Sequence, residues 1–390
     1  MYNRNIVTIL VAQPLVLVIA PMLVLIGGLM GLYYAPSPSW ATLPVACMVI
    51  GTALAASPAA FVYNKLGRKL GALIGAAIAL SGALLGALAT IIESFALLCL
   101  ATGISGAAIA FGQQLRFAAV EALDDKNNAP KVLSALLLAS LVSAFVGPEI
   151  GARGEMLFDT RYLGSFLLLA IIIILAGSLL LGLNIPKQSA QSTTQARVKR
   201  STLLKNPDII LAIASSAIGF AVMTFLMTAT PLSMQYGCNH SGTDTKWVIQ
   251  SHIVAMFLPS LITPKLIARF GIHKVMMAGV LAYILVLVVA LSGQEVIHFW
   301  WALVLLGLGW NFLFLAGNSL LAQSYTPEQA NTAQGLNDTI VFGVQAIASL
   351  SAGVIYGGLG WQAVIWLSLP ATLTLLVVLV WRQRTTYLSH

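Results

Sequence analysis

"FVYNKLGRKLGALIG", Phe61 to Gly75, packs three cations and an asparagine into a six-residue knot, Asn64 to Lys69, between two long apolar runs. The glycine at its centre, Gly67, marks a sharp reversal, because glycine enters backbone regions closed to other residues. The flanking runs therefore read as two antiparallel segments joined by a short basic turn. A chain that gathers its few charges into such turns is sorting them to one side of something apolar.

Composition says what that is. Of 390 residues, 59% are hydrophobic and only 8% are charged, and the mean hydropathy is +0.92. Soluble domains carry about a quarter charged residues, so the solvent for most of this surface has to be lipid. The net charge of +8 forms no basic face with interleaved aromatics, which excludes a nucleic-acid partner and leaves the bilayer.

Twelve apolar segments are long enough to cross about 30 Å of hydrocarbon as helices. They run over 6–33, 41–62, 71–92, 95–117, 131–153, 163–183, 208–235, 246–267, 275–292, 297–323, 331–358 and 362–381. Helices satisfy their own backbone groups in lipid, and isolated strands do not. The first run is too long for a signal-peptide core and no small-residue cleavage site follows it, so it is read as the first helix. With the N-terminus inside, 17 of the 20 lysines and arginines fall on the inner side, and only Arg153, Arg161 and Lys246 fall outside. The positive-inside rule then predicts that both termini are cytoplasmic.

Residues 184–207, "NIPKQSAQSTTQARVKRSTLLKNP", form the one long polar stretch and read as a cytoplasmic linker between an N-terminal bundle, 1–183, and a C-terminal bundle, 208–390. The halves echo each other. Gly67 matches Gly271, Gly75 matches Gly279 and Gly103 matches Gly307, each 204 residues apart. A half duplicated in this way is a recurring plan of secondary transporters. Cys47, Cys99 and Cys238 show no metal or disulfide spacing, no nucleotide-binding loop is present, and no extramembrane domain of size exists. The expectation is no cofactor, no metal and no enzyme.

The basic turn resembles the signature loop of the major facilitator superfamily, G-x-x-x-D-R-x-G-R-R, through Lys65, Gly67, Arg68 and Lys69, with Ala60 and Asn64 in place of the glycine and aspartate. The fifth segment resembles that family's antiporter motif, with small residues Ser134, Ser143, Gly147, Gly151 and Ala152 and the proline Pro148. The intramembrane arginine common in the family's fourth helix is absent, since the line reads Cys99-x-x-Thr102-Gly103. The resemblance implies an all-α fold of two pseudo-symmetric six-helix bundles. It implies alternating access to a small-molecule substrate, with protons as coupling ion, in a monomer of the bacterial inner membrane. It further implies that the turn is held to neighbouring helix ends by charge pairs, with Glu121, Asp124 or Asp125 as partner for Arg68; the plainer alternative is a positive-inside anchor. The Gly147-Pro148 step predicts a bend, and the small positions around it a face that slides against the eighth helix.

Ionisable groups inside lipid cost a few kcal/mol each and mark function. Four are read as intramembrane rather than as loop residues: Arg116, Glu149, His252 and Asp338. From the family's helix arrangement, Arg116 with Asp338 is expected to close the inner side and Glu149 with His252 the outer side. Snorkelling of Arg116 and a carbonyl bond from His252 are the plainer alternatives. Asp338, beside Gln334 and Asn337, is the preferred proton or substrate carboxylate. The substrate cavity is expected from Gln13, Gln113, Gln114, Phe220, Thr224, Met227, Thr228, Trp310, Asn311, Phe314, Asn318 and Asn337, an apolar wall with scattered amides. Such a wall suits a flat or amphipathic organic solute better than a sugar or simple anion, although helix-to-helix bridging accounts equally well for half of the amides. "QSHIVAMFLPSLIT" and "GLNDTIVFG" resemble a bacterial branch of vitamin (riboflavin-type) and drug carriers. Nutrient uptake, of a vitamin or an iron chelate, and efflux both remain open. A channel lacks a filter, and a membrane sensor or receptor lacks an output domain.

Overall fold

The structure, a computed structural model, describes residues 3–123, 129–185, 200–326 and 329–388. Asp124, Asp125 and most of the basic linker lie outside these residues, as does the side chain of Ser134. Helices and turns account for all regular structure among the described residues. Ten stretches are long and apolar enough to cross a membrane, and two irregularities bring the count to twelve. Gly360, at φ 77°, divides the helical run Ala330–Leu388, and Gly242–Leu261 with Thr263–Phe270 forms a span bent by 51°.

The spans are α1 (Arg4–Tyr34), α2 (Pro38–Leu66), α3 (Arg68–Ile91), α4 (Phe95–Glu121), α5 (Ala129–Gly154) and α6 (Leu163–Leu180). They continue with α7 (Pro207–Gly237), the bent α8, α9 (Ile272–Ser292), α10 (Val296–Ser324), α11 (330–359) and α12 (361–388). Proline explains the irregular places. In α1 the ladder lapses at Val18, because Pro21 has no N–H for the carbonyl of Leu17. In α8 the last regular turn gives way to the 3-10 turn Leu258–Leu261 at Pro259. By contrast α5 runs as one helix from Ala129 through Pro148 to Gly154.

The chain divides into two compact units, Met1–Gln191 with Gly242–Gln250, and Ser192–Ser241 with Ser251–His390. Apolar side chains gain nothing by leaving lipid, so close backbone packing must hold the helices of each unit together. In the first unit, a methyl on Gly51 would lie 2.0 Å from the carbonyl oxygen of Gly103, and one on Gly106 1.9 Å from that of Met48. The hydroxyl of Thr52 fills this crossing by donating to the Gly106 carbonyl at 2.9 Å. Gly147 and Gly151 pack on α1, at Val18, Pro21, Met22 and Ile26.

The second unit repeats these devices on its own helices. Gly67 and Gly271 both terminate a helix in conformations only glycine adopts freely, at φ 89°, ψ 167° and φ 87°, ψ 157°. Gly75 abuts Phe111 of α4, and Gly279 abuts Leu313 of α10; Gly103 lies against the Cys47 carbonyl, and Gly307 against that of His252. The ends are stitched alike. Asn3 caps α1 and donates to the Ala122 carbonyl just beyond α4, while Asn206 caps α7 and donates to the Ser324 carbonyl at the end of α10. Asn5 exchanges two 2.9 Å hydrogen bonds with the backbone of Asn184 after α6. Asp208 takes a two-pronged contact from Arg382 in α12, at 3.0 and 3.1 Å.

Candidate functional site

The basic turn is built around one inward cation. Lys65 and Lys69 are exposed, whereas the Arg68 side chain is 13% exposed and donates twice to the Glu121 carboxylate, through Nε at 2.7 Å and through Nη2. Its guanidinium also lies 5.7 Å from the ring centre of Tyr63. That ring is buried and its hydroxyl donates to the Phe111 carbonyl at 3.0 Å. Arg68 at the start of α3 is thus joined to the last residue of α4, and Tyr63 brings in the end of α2. The asparagine at 64 is exposed and takes no part in this contact.

In the second unit, α7, α8 and α10 assemble an aromatic panel. Trp310 and Phe314 are stacked, 5.0 Å apart with planes 14° from parallel. Phe220 meets both edge-on, at 5.1 and 5.3 Å, and Phe257 meets Trp310 at 6.2 Å. Trp310 is 5% exposed, yet its Nε1 has no hydrogen-bond partner among the described residues. The Oγ1 of Thr224, 3% exposed on α7, is likewise unsatisfied. Leaving a buried donor unpaired costs about 1–3 kcal/mol, and a bound solute can remove that cost. Met227 and Thr228 are buried on the same helix.

The amides divide into two kinds. Asn311 is fully committed: it donates to the Met256 carbonyl and to Ser260 Oγ, and accepts from Thr263 Oγ1, all at 2.7 Å. It bridges α10 to the broken part of α8, where Pro259 releases the backbone, and so acts as a structural tie. Asn318 donates to the Phe314 carbonyl of its own helix. In the first unit Gln13 is buried with its Oε1 unsatisfied, and Gln113 and Gln114 are half-buried. Asn337 is buried, with its amide nitrogen on Asp338 Oδ1 at 3.1 Å and its own Oδ1 unsatisfied.

The four ionisable residues have distinct settings. Asp338 is exposed on α11, next to Asn337. Arg116 is exposed near the end of α4, with its guanidinium 4.8 Å from the Phe117 ring centre. Glu149 accepts from Lys246 at 2.7 Å and from Arg153. His252 is fully buried, and its Nδ1 must carry the proton, because its partner 2.7 Å away is the Leu303 carbonyl, which can only accept. Sequence reasoning missed Lys246 and Phe257. The first stood out only as an exception to the charge asymmetry, and the second only as an aromatic two residues before Pro259.

Comparison with known proteins fixes the family. The family profile described as Major Facilitator Superfamily matches residues 8–248 and 217–388. The chain belongs to the major facilitator superfamily. Within that family, it is 36% identical over 385 residues to "Riboflavin transporter RfnT" of Brucella anthropi, covering 98% of this chain and 96% of the relative. It is 28% identical over 350 residues to "Uncharacterized MFS-type transporter YddS" of Bacillus subtilis, covering 85% and 79%. Among solved structures, the nucleoside transporter NupG superposes with a TM-score of 0.74 at 15% identity, covering 97% of this chain and 99% of that one. The D-xylose-proton symporter gives the same score, 0.74, at 13% identity, covering 96% of each. This major facilitator is accordingly a multi-pass membrane transporter and not an enzyme.

Proposed function

We propose that the chain imports a flat, amphipathic vitamin of the riboflavin class across the bacterial cytoplasmic membrane, by alternating access of two six-helix lobes. The observation that carries this reading is the 36% identity to a riboflavin transporter over nearly the whole of both chains. The aromatic panel supports it on physical grounds. A tricyclic ring system with a hydroxylated tail needs broad apolar faces to stack on and a few hydrogen-bonding groups to orient it. Trp310, Phe314 and Phe220 offer the faces, and the unsatisfied Trp310 Nε1 and Thr224 Oγ1 offer the groups.

Uptake is coupled to protons at Asp338, whose amide neighbour can hold it charged or neutral. Arg116, Glu149 and His252 serve the gates, with Lys246 as an added partner for Glu149. Both termini face the cytoplasm, following the cation asymmetry, and the working unit is a monomer. The test is uptake of labelled riboflavin by a riboflavin-auxotrophic bacterium lacking its own importer, followed by counterflow in proteoliposomes. Saturable uptake with trans-stimulation is expected. Absence of both uptake and binding removes the vitamin assignment, and uptake without trans-stimulation removes the carrier mechanism.

A further inference from the structure

Cys47 in α2 and Cys99 in α4 are neighbours at the closest approach of the two helices, although the sequence places them 52 residues apart. The contact follows from how these helices cross. Cys47 lies beside Cys99, Gly51 beside Gly103 and Thr52 beside Gly106, so α2 and α4 run parallel and in register. Each cysteine stands one helical turn before the glycine of the crossing, where the backbones are so close that a methyl on Gly51 would penetrate the Gly103 carbonyl. A methyl on Gly103 would in turn sit 3.7 Å from the Cys47 carbonyl oxygen. Backbones this near hold two cysteine α-carbons within reach of the roughly 4.4–6.8 Å that a disulfide spans. Both residues are half-buried.

We infer that Cys47 and Cys99 are a modification site, a dithiol that closes to a disulfide by exchange with a small-molecule disulfide. One thiolate attacks the incoming disulfide, forming a mixed disulfide and releasing one small thiol. The second thiolate attacks that mixed bond and releases the other. Two S–H bonds are lost and one S–S bond is formed, and the two electrons leave on the reagent, which departs as two thiols. With the orientation proposed above, both cysteines lie near the outer ends of their helices, in a compartment where disulfides persist. Closure fixes the outer ends of α2 and α4 as one piece. Nothing in the transport reading requires it, and its chemistry can be tested without measuring transport.

The experiment uses the purified full chain carrying Cys238→Ser, so that only the pair reports. After incubation with oxidised glutathione, the protein is denatured, its thiols are titrated with a maleimide and its intact mass is measured. The expected result is loss of both thiols with a mass two hydrogens lighter, reversed by reductant. Adding Cys47→Ser or Cys99→Ser should instead give a protein heavier by one glutathione. A pair-containing protein that keeps both thiols, or that gains glutathione without closing, overturns the inference.

Discussion

The contact between Arg68 and Glu121 decides whether the basic turn is a clasp or only an electrostatic anchor, and a double-mutant cycle measures the difference. The guanidinium makes two charge-assisted bonds to one carboxylate, and the two side chains are 13% and 25% exposed. Fully exposed pairs contribute about 0.2–1 kcal/mol, whereas removing one partner of a fully buried pair costs about 3–5 kcal/mol. With at least three quarters of each side chain covered, the coupling energy falls between, at about 1.5–2.5 kcal/mol. The cycle compares the unchanged protein with Arg68→Gln, Glu121→Gln and the double substitution, by unfolding of the purified transporter in mixed micelles. The exchange Arg68→Glu with Glu121→Arg should recover most of what either reversal loses alone. A coupling energy below about 0.5 kcal/mol, the range of loosely held surface pairs, refutes the clasp. The turn would then work through its net charge, to which Glu121 contributes nothing favourable.

Replacing Trp310 with alanine should weaken riboflavin binding roughly 5- to 150-fold, the equivalent of one aromatic stacking contact of about 1–3 kcal/mol, while Trp310→Phe, which keeps a stacking face and loses only the Nε1 donor, should weaken it less, by roughly 2- to 12-fold. Fluorescence titration checks this, and equal effects of the two substitutions contradict a stacking role. Asp338→Asn should abolish accumulation driven by a pH gradient and leave exchange partly intact in proteoliposomes; full accumulation removes Asp338 from coupling. Gly51→Ala must move a methyl from 2.0 Å to at least 3.4 Å from its neighbour, stretching the Thr52–Gly106 bond. It should cost about 1–3 kcal/mol of stability in thermal unfolding. Gly343→Ala, whose methyl meets nothing within 4 Å, should cost far less, and equal losses would contradict the packing argument.

The fold was legible because lipid simplifies the code: long apolar runs must be helices, and cations mark one side. Gly67 and Gly271 could be matched in sequence because the backbone they adopt excludes other residues. The break in α8 was harder to see. Pro259 removes a backbone donor within a run that hydropathy alone reads as continuous, and the compensation comes from Asn311 on α10, 52 positions away. Site residues were legible by type and not by commitment. Asn311 and Trp310 both read as cavity groups, yet all the polar capacity of the first that the structure shows is spent on α8, while the indole nitrogen of the second is unsatisfied. Lys246 was invisible as a partner of Glu149, because no spacing rule links residues 97 apart.

The paired stitches of Asn3 and Asn5 in one half, and of Asn206 and Asp208 in the other, fasten the first helix of each set to the ends of its own fourth and sixth. Each set is therefore sewn shut by residues it carries itself, and none of these seams uses the segment 186–199. Either set of six helices, taken alone, thus carries every residue of its own seams.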